Sequence, residues 1–410
     1  MSKIKVLHTA DIHIGIENYG YINPETGLNS RLEDFLRSFD IIVNHAIDND
    51  FDLVIFAGDA FKVQSPTSTQ QREFAKRVYK LSKANIPTIL LAGNHDLSNR
   101  YGEATSMDVY GSLKIENVYV VEKPREPFVI KTKNGDVQII AIPYVSKSGM
   151  LTNEEYSLKT AEEVERILVK KIDDLLTSFI VKMDQSLPTI FTFHVGIDQA
   201  TIGAEKDLMV GKSFSVPLSV VAKKEFDYVA LGHIHKMQVL TTNPPVVYPG
   251  SIERVDFGEE KEDKGFMVID LERHKTTYEF IKLPARKFIT IDVDVSESED
   301  PTKDIIKAIK KENIVEAIIR LRYQIEAHNT HLVDDQEIRQ NLIGSFYYML
   351  RPNIIDRTSR TRNPELNESI STDPIQSLEK YIILYPEMET IKEDLLERAK
   401  LLMELQGDKI

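Results

Sequence analysis

The feature of the sequence that most constrains the fold is a series of short apolar segments that end abruptly in polar residues. The segments are KIKVLHTADIH, FDLVIFAGDAF, IPTILLAGNHD, PTIFTFHVG and FDYVALGHIH. They are rich in β-branched residues, which is typical of strands buried on both faces of a sheet. Between them, apolar residues recur at helical spacing over residues 31–49, 69–85 and 161–183. This alternation predicts an α/β core in which helices cover the faces of a sheet.

The pattern changes near residues 283–287. Beyond them, alternation and helical spacing predict strands over 288–295, 316–325 and 353–356, and helices over 302–311, 334–346 and 374–405. We therefore expect three parts, which are a domain over 1–285, a smaller α+β domain over 286–362, and a linker with a helical tail over 363–410. Within the first domain, Asn134-Gly135 lies between two strand-like segments and predicts a hairpin.

Composition narrows the class of protein. The 410 residues exceed one ordinary domain. There is no cysteine, so a disulfide framework and a thiolate metal site are excluded. No apolar segment is long enough to span a membrane or to act as a signal peptide, and we expect a cytoplasmic location. A net charge of −13 argues against a simple basic protein that coats DNA.

Metal-ligand residue types follow the apolar segments directly. In open α/β sheets, ligands bind at the carboxyl ends of the strands, so these side chains are expected to meet at one edge. Carboxylate, amide oxygen and imidazole donors suit manganese, iron, zinc or cobalt. Seven donors are enough for two divalent ions that share one carboxylate, the arrangement of many phosphatases and nucleases. The candidate ligands are Asp11, His13, Asp59, Asn94, His194, His233 and His235.

Each of these motifs is weak when it stands alone. Asp-x-His is a common triplet, Gly-Asp is often only a turn, and a single histidine such as His194 is more often a core residue than a ligand. The specificity lies in the order of the motifs D-x-H, G-D, G-N-H-D, H and G-H-x-H, each after a buried strand. The remaining histidines lack such neighbours and are expected to be ordinary polar residues; they are His8, His45, His274, His328 and His331.

This ordered set resembles the calcineurin-like metallophosphoesterases. Within that superfamily the chain resembles the SbcD-type nucleases, the bacterial counterparts of the meiotic-recombination-eleven family. The segments that carry the closer resemblance are HTADIHIG, GDAFKVQSPTS and YPGSIERVDFGEEKEDKGF. The resemblance implies a four-layer αββα sandwich with a smaller α+β capping domain and C-terminal helices. The protein-phosphatase variant of the second motif, G-D-x-x-D-R-G, is absent from the sequence.

The resemblance also implies roles for individual residues. One metal would be held by Asp11, His13, Asp59 and His235, and the other by Asp59, Asn94, His194 and His233, so that Asp59 bridges them. His95 would lie beside the phosphate and stabilise charge or protonate the leaving oxygen. Asp96 would orient His95. The expected cofactors are two divalent ions, and the resemblance favours Mn²⁺.

The activity implied by the resemblance is that of a DNA repair and recombination nuclease. It comprises exonuclease action on duplex ends and endonuclease action on single strands and hairpins. The implied partners are DNA, an SbcC-type ATPase related to the radiation-fifty protein, and a second copy of the chain. Lys62, which stands where some relatives carry histidine, and Arg357, Arg360 and Arg362 are candidate DNA contacts. The arginine segment is equally well explained as a solvated loop.

Three interpretations remain open at this point. The first is the nuclease. The second is a small-molecule or nucleotide phosphodiesterase on the same fold, which a substrate panel would distinguish. The third is a non-catalytic scaffold, which loss of ligand residues would mark, although all seven are present. The C-terminal helices are expected to dock on the ATPase, and the alternative is that they pack on the chain's own second domain.

Overall fold

A computed structural model describes residues 3–97, 104–145, 150, 159–201, 203, 214–355, 375, 378, 379, 382 and 391–407. The chain divides into two compact units. The first contains Met1–Thr290, Asn313–Arg320 and Gly344–Met349, and the second contains Ile291–Glu312, Leu321–Ile343 and Leu350–Ile410. Among the helices of the described residues, none is both long enough and apolar enough to cross a membrane.

Two six-stranded sheets form the centre of the first unit. The strands of one sheet are β1 (Ile4–Thr9), β2 (Leu53–Phe56), β3 (Thr88–Leu91), β4 (Val118–Val121), β13 (Gly265–Leu271) and β14 (Thr277–Lys282), in the order β14-β13-β1-β2-β3-β4. The strands of the other sheet are β5 (Arg125–Thr132), β6 (Gly135–Ile142), β7 (Thr189–His194), β10 (Tyr228–Gly232), β11 (Gln238–Thr242) and β12 (Pro245–Tyr248), in the order β11-β12-β10-β7-β6-β5.

The central strands of both sheets are parallel. In the first sheet β1, β2, β3 and β4 pair in parallel, while β13 pairs antiparallel with β1. In the second sheet β6, β7, β10 and β12 pair in parallel. Parallel pairing brings the carboxyl ends of these strands to one edge of each sheet, where the predicted ligands stand.

Helices cover the outer faces of the two sheets. The helices are α1 (Ser30–Asp48), α2 (Ser68–Lys83), α3 (Asp108–Ser112), α4 (Ala161–Val181) and α5 (Leu218–Val221). α1 and α2 share a buried cluster with the first sheet, and α4 shares another with the second. A third cluster fills the space between the sheets. The four layers are therefore helix, sheet, sheet and helix, and the αββα sandwich implied by the sequence is confirmed.

The starts of these helices follow from their capping residues. The Asn29 side chain accepts a hydrogen bond from the N–H of Arg31 at the start of α1. At the start of α2, Thr67 and Gln70 form a capping box, in which each side chain bonds the other's backbone N–H. These caps place the starts of α1 and α2 one residue before the amphipathic segments predicted from the sequence, which are 31–49 and 69–85.

The hairpin predicted at Asn134-Gly135 is confirmed, because β5 and β6 pair antiparallel up to Thr132 and Gly135.

The remaining strands form two smaller sheets. Two short strands, β8 (Gly196–Ile197) and β9 (Ser215–Val216), pair in parallel. A third sheet has the order β15-β16-β17, with bounds Phe288–Asp294, Ile318–Glu326 and Tyr347–Ile355. The remaining helices are α6 (Pro301–Ile309), α7 (Asp335–Asn341) and α8 (Lys392–Gly407), and short 3-10 turns span Phe257–Glu259 and Ala327–Leu332.

One helix is shorter than the sequence predicts. α7 ends at Asn341 rather than at residue 346, and β17 begins at Tyr347 rather than at residue 353. Gly344 lies between them with a φ of 95°, a left-handed conformation that ends regular helix. The apolar residues after it therefore belong to a strand.

Candidate metal centre

The seven candidate ligands meet at the carboxyl ends of the parallel strands. Asp11 and His13 follow β1, Asp59 follows β2, Asn94 follows β3, His194 ends β7, and His233 and His235 follow β10. The donor atoms of six of them, together with one of His95, form groups whose members lie within 4.8 Å of one another. These groups are Asp11, His13 and His235; His13, Asp59 and His95; and Asp59, His194 and His233. The shared members make the groups one continuous centre.

Individual distances show how close the donors are. The Nε2 atoms of His13 and His235 are 2.9 Å apart. The Asn94 Oδ1 atom lies 3.1 Å from His194 Nε2 and 2.9 Å from His233 Nδ1. Asp59 Oδ2 lies 3.4 Å from His194 Nε2 and 3.8 Å from His13 Nε2. Asp59 thus stands between the two halves of the centre.

The backbone of several candidate ligands is strained. Asp11, His13, Asp59 and His233 have φ values of 51°, 49°, 55° and 103°, a region that residues with a Cβ rarely adopt. Such conformations persist only where the surroundings hold them, and they concentrate at functional sites. Here the N–H of Asp11 donates to the Gly58 carbonyl at 3.0 Å, and that of His13 donates to the Asp59 carbonyl at 3.0 Å. The loop after β1 is therefore held against the loop after β2.

Two glycines make room for the ligand side chains. A Cβ at Gly58 would overlap the His194 imidazole, and Gly58 also has a φ of 101°. A Cβ at Gly93 would overlap the Asp59 carboxylate. Glycine before the aspartate of G-D and before the asparagine of G-N-H-D is thus required by the close approach of the ligands.

The donor set fits divalent cations. The His194 Nδ1–H donates to the Ala57 carbonyl at 2.7 Å, which leaves Nε2 to face Asn94 and Asp59. The Nε2 atom of His233 is buried and finds no hydrogen-bond partner within the described part of the chain. Oxygen and imidazole donors without thiolate are the ligands that first-row divalent metals take in hydrolases. The residues present therefore suit a metal centre, as the sequence predicts.

Electrostatics place the negative charge of the centre on Asp59. Burial alone would raise the pKa of Asp59, but the imidazoles of His194 and His13 hold it well below its usual range. Burial lowers the pKa of His194, yet the Asp59 carboxylate outweighs it and raises that pKa to about 9. Burial raises the pKa of Asp11 to about 6 and lowers that of His233 to about 3. The Asp59 group is therefore held as a carboxylate, whereas burial favours the neutral form of Asp11.

His95 lies at the edge of the centre and is half-buried. Its backbone N–H donates to Asp59 Oδ1 at 2.9 Å, and its ring centroid is 5.2 Å from that of His13. Burial lowers the pKa of its imidazole, and the Lys62 ammonium lowers it further against the opposing charge of Asp59. The Lys62 side chain is itself half-buried in the loop after β2. His95 therefore combines proximity to the donors with a partly exposed position.

Asp96, in the loop after β3, is fully buried. Its carboxylate accepts backbone N–H groups from Gly93 at 2.9 Å, Phe61 at 3.1 Å and Ala60 at 3.2 Å. These bonds tie the loop after β3 to the loop after β2. The prediction that Asp96 orients the His95 side chain stays a prediction, since its described hydrogen bonds go to backbone.

Sequence reasoning missed two buried charged residues of the centre, Glu259 and Lys264. Burial alone would raise the pKa of Glu259, but the Lys264 ammonium and the His235 imidazole hold it well below its usual range. Both residues stand in the charged run GEEKEDKG, where nothing separates buried charges from solvated ones. Tyr144, whose ring centroid is 5.9 Å from that of His233, was also missed, because it lies in none of the ligand motifs.

The candidate DNA contacts are only partly described. Lys62 lies beside the centre, and its charge lowers the pKa of His13 in addition to burial and the neighbouring histidines. Arg357, Arg360 and Arg362 lie outside the described residues. Their predicted role therefore stays a prediction.

The fold and the donor set define a metallophosphoesterase. The family model for calcineurin-like phosphoesterases matches residues 4–237, and the chain belongs to this family. It is therefore assigned to a class of hydrolases, and the superfamily recognised from the motif order is confirmed.

Among curated proteins, relatives at low identity carry more particular names. The chain is 26% identical to a DNA double-strand break repair protein Mre11 of Saccharolobus solfataricus over 93% of this chain and 89% of that protein. It is 23% identical to one of Archaeoglobus fulgidus over 82% of this chain and 72% of that protein. It is 26% identical to a subunit of the nuclease SbcCD of Staphylococcus epidermidis over 76% of this chain and 77% of that protein. The similarity to SbcD-type nucleases is thereby confirmed.

Proposed function

We propose that the chain is a metal-dependent DNA nuclease and the nuclease subunit of a DNA repair complex of the SbcCD kind. The observation that carries the proposal is the convergence of seven oxygen and imidazole donors, with Asp59 standing between the other six. The names of the relatives, which are a repair protein and a nuclease subunit, support DNA as the substrate. Cleavage is proposed at duplex ends as an exonuclease, and in single strands and hairpins as an endonuclease.

Two groups of residues would hold two divalent ions, with Mn²⁺ as the proposed metal. Asp11, His13 and His235 belong to one group and Asn94, His194 and His233 to the other, and Asp59 lies between them. When bound, such a pair of ions activates water and neutralises the charge of a phosphodiester. The protein's own contribution is to fix the donors through strained loops and buried hydrogen bonds, so that little reorganisation is needed on binding.

His95 is proposed to act on the substrate rather than on the metal. It lies beside the donors and is partly exposed, whereas the aspartate and histidine donors are buried. An imidazole in this position can stabilise charge on the phosphate or give a proton to the leaving oxygen. Lys62, whose charge reaches both His95 and His13, is proposed to attract the DNA backbone toward the centre.

Partners are proposed from the same similarity. An SbcC-type ATPase would supply phosphate contacts that a chain of net charge −13 lacks, and would account for binding of an acidic protein to DNA. A homodimer is proposed on the same basis. The small α+β domain over 286–362, with its arginines, is proposed to contact DNA, and the tail over 363–410 to dock on the ATPase.

A substrate panel under one metal condition tests the proposal. The full chain is incubated with Mn²⁺ and linear duplex, single-stranded or hairpin DNA, and in parallel with cyclic nucleotides and bis-p-nitrophenyl phosphate. Degradation of DNA that is abolished in Asp59→Asn supports a nuclease. Turnover of the small esters alone, with DNA intact even when a partner ATPase is added, would show a small-molecule phosphodiesterase instead.

A further inference from the structure

A buried carboxylate stands directly behind His235. Glu259 is 1% exposed, and its Oε1 atom accepts the Nδ1–H of His235 at 2.7 Å. Its Oε2 atom accepts the backbone N–H of Val255 at 2.9 Å and lies 2.8 Å from Lys264 Nζ. Both carboxylate oxygens are therefore engaged, and the direction of the Glu259 side chain is fixed.

Lys264 completes this arrangement from the other side. Its side chain is fully buried, and Nζ donates to the backbone carbonyl of His235 at 3.1 Å and to the Glu262 carboxylate at 2.8 Å. A buried carboxylate with no counter-charge would be strongly destabilising, so the ammonium is what allows Glu259 to stay charged there. The pair thus holds both the ring and the main chain of His235.

The supporting segment is itself anchored. Glu259 ends the short 3-10 turn Phe257–Glu259, and its backbone carbonyl accepts from Arg254 Nε at 3.2 Å. Arg254 also donates to the carbonyls of Glu262 at 2.6 Å and Arg286 at 3.0 Å. Because its backbone is anchored in this way, Glu259 can hold the His235 ring in one orientation.

The consequence lies in the second nitrogen of the ring. Because Nδ1–H is committed to a carboxylate, a neutral His235 carries its lone pair on Nε2, and Nε2 faces the His13 ring nitrogen at 2.9 Å. Metal-binding histidines commonly donate their other ring N–H to a carboxylate, which fixes the ring and makes it a better ligand. We propose that Glu259, neutralised by Lys264, is the positioning residue that presents His235 Nε2 to the metal. This proposal rests on the metal-dependent function proposed above.

Mn²⁺ affinity of the full chain, measured by titration calorimetry, tests this role. Glu259→Gln keeps the shape and an acceptor for Nδ1–H but removes the charge, and Glu259→Met removes both. We expect Mn²⁺ affinity to fall by about 10–100-fold in Glu259→Met, with a smaller loss in Glu259→Gln. Glu253→Gln is the matched control, since Glu253 is a fully buried carboxylate of the same segment that contacts no candidate ligand. Its carboxylate accepts from Ser38 and the Arg286 backbone and lies 4.0 Å from Arg31.

A second variant separates positioning from folding. Glu259→Met combined with Lys264→Met replaces the ion pair by apolar side chains of similar size. It leaves only the Glu262 carboxylate, which is 11% exposed, without its Lys264 partner. We expect it to fold, with a urea midpoint in EDTA close to that of the unsubstituted chain, but to bind Mn²⁺ as weakly as Glu259→Met. Binding as tight as in the unsubstituted chain would overturn the role. If the double variant does not fold, the Mn²⁺ affinities of Glu259→Gln and Glu253→Gln are compared instead. Equal affinities in these two variants would overturn the role.

The two proposals fail in different ways. A chain that binds Mn²⁺ but leaves DNA intact loses the proposed nuclease function, while calorimetry on the Glu259 variants still decides the positioning role. A chain that cuts DNA and binds Mn²⁺ equally well with or without Glu259 loses only the positioning role. A chain that binds no Mn²⁺ overturns both.

Discussion

The Nε2 atoms of His13 and His235 lie 2.9 Å apart, although the two residues are 222 positions apart in the sequence. Their imidazoles come from different sheets, at the ends of β1 and β10. Two ring nitrogens at this distance can share a proton, but two lone pairs facing each other are repelled unless a cation neutralises them. A bound cation would relieve this repulsion in the folded state, so metal binding should be measurable as a gain in stability.

Bound metal should stabilise the fold. A ligand that binds only the folded state raises the unfolding free energy by about 2.7 kcal/mol at 100 times its dissociation constant. We expect Mn²⁺ to raise the urea midpoint of the unsubstituted chain and EDTA to lower it. Asp59→Asn should abolish the response and reduce hydrolysis at least about a hundredfold. Asp52→Asn is the control, because Asp52 is a buried aspartate before the same strand; an Asp59→Asn chain with a full Mn²⁺ response would contradict the centre.

Replacing His95 should separate binding from cleavage. His95→Ala removes the imidazole proposed to contact the phosphate, and general acid–base groups contribute roughly 10²–10⁴-fold to rate. We therefore expect kcat on DNA to fall by about that factor, with Mn²⁺ affinity in calorimetry little changed. His45→Gln, on α1 and packed beside Phe51 and Phe266, should leave both quantities unchanged. Loss of Mn²⁺ binding in His95→Ala would instead make His95 a ligand.

Adding one methyl group at Gly93 should disturb the centre. A Cβ there would overlap the Asp59 carboxylate, and overpacking of a well-filled site costs about 1–3 kcal/mol. We expect Gly93→Ala to lower the unfolding free energy by that amount and to weaken Mn²⁺ binding. Gly111→Ala, in α3, is the control, because its Cβ would meet only the Val120 side chain, at ordinary contact distances of 3.7 and 3.9 Å. Equal Mn²⁺ affinity in the two variants would show that Gly93 has no part in shaping the site.

Stability should fall in mild acid because of His8. The His8 Nε2–H donates to the Leu231 carbonyl and Nδ1 accepts from the Tyr228 hydroxyl, each at 3.1 Å, and burial lowers its pKa from 6.5 to about 3. The unfolded chain then binds more protons than the folded one below pH 6.5, so stability is full above that pH and is lost as pH falls toward 3.

The expected loss from His8 between pH 7 and pH 5 is about 2 kcal/mol. Urea unfolding in EDTA at pH 7, 6 and 5 measures it, and His8→Gln should show a shallower pH dependence than the unsubstituted chain. His328→Gln, at an exposed position, should retain the full dependence. Parallel curves for His8→Gln and the unsubstituted chain would contradict this origin of the acid sensitivity.

The sequence predicted those features whose signal lies within one strand, helix or turn. Asp11, Asp59 and Asn94 each follow a short apolar strand, so the rule for parallel sheets was enough to bring them together. The helix and hairpin predictions succeeded for the same reason, since their signals lie within a few residues of one another. The end of α7 was misplaced because the apolar pattern of 342–346 continues past Gly344.

Residues whose role depends on a distant partner were not accessible in this way. His8 was expected to be an ordinary polar residue, but its partner Tyr228 is 220 positions away and makes it a neutral group of the core. Glu259 and Lys264 look like the surface charges beside them, and only the proximity of His235 distinguishes them. Sequence pattern reports which groups face inward along one element, not which group from another element they meet.

The place of β1 in its sheet has a consequence for how the molecule is made. This strand leaves the ribosome before both of its neighbours, which are β2 on one side and β13, at Gly265–Leu271, on the other. A nascent chain thus carries Asp11 and His13 long before their supporting neighbours His235, Glu259 and Lys264 have been synthesised. The metal centre can therefore be assembled only late in the synthesis of this domain. A chain released before His235 has been synthesised lacks a donor that the centre needs.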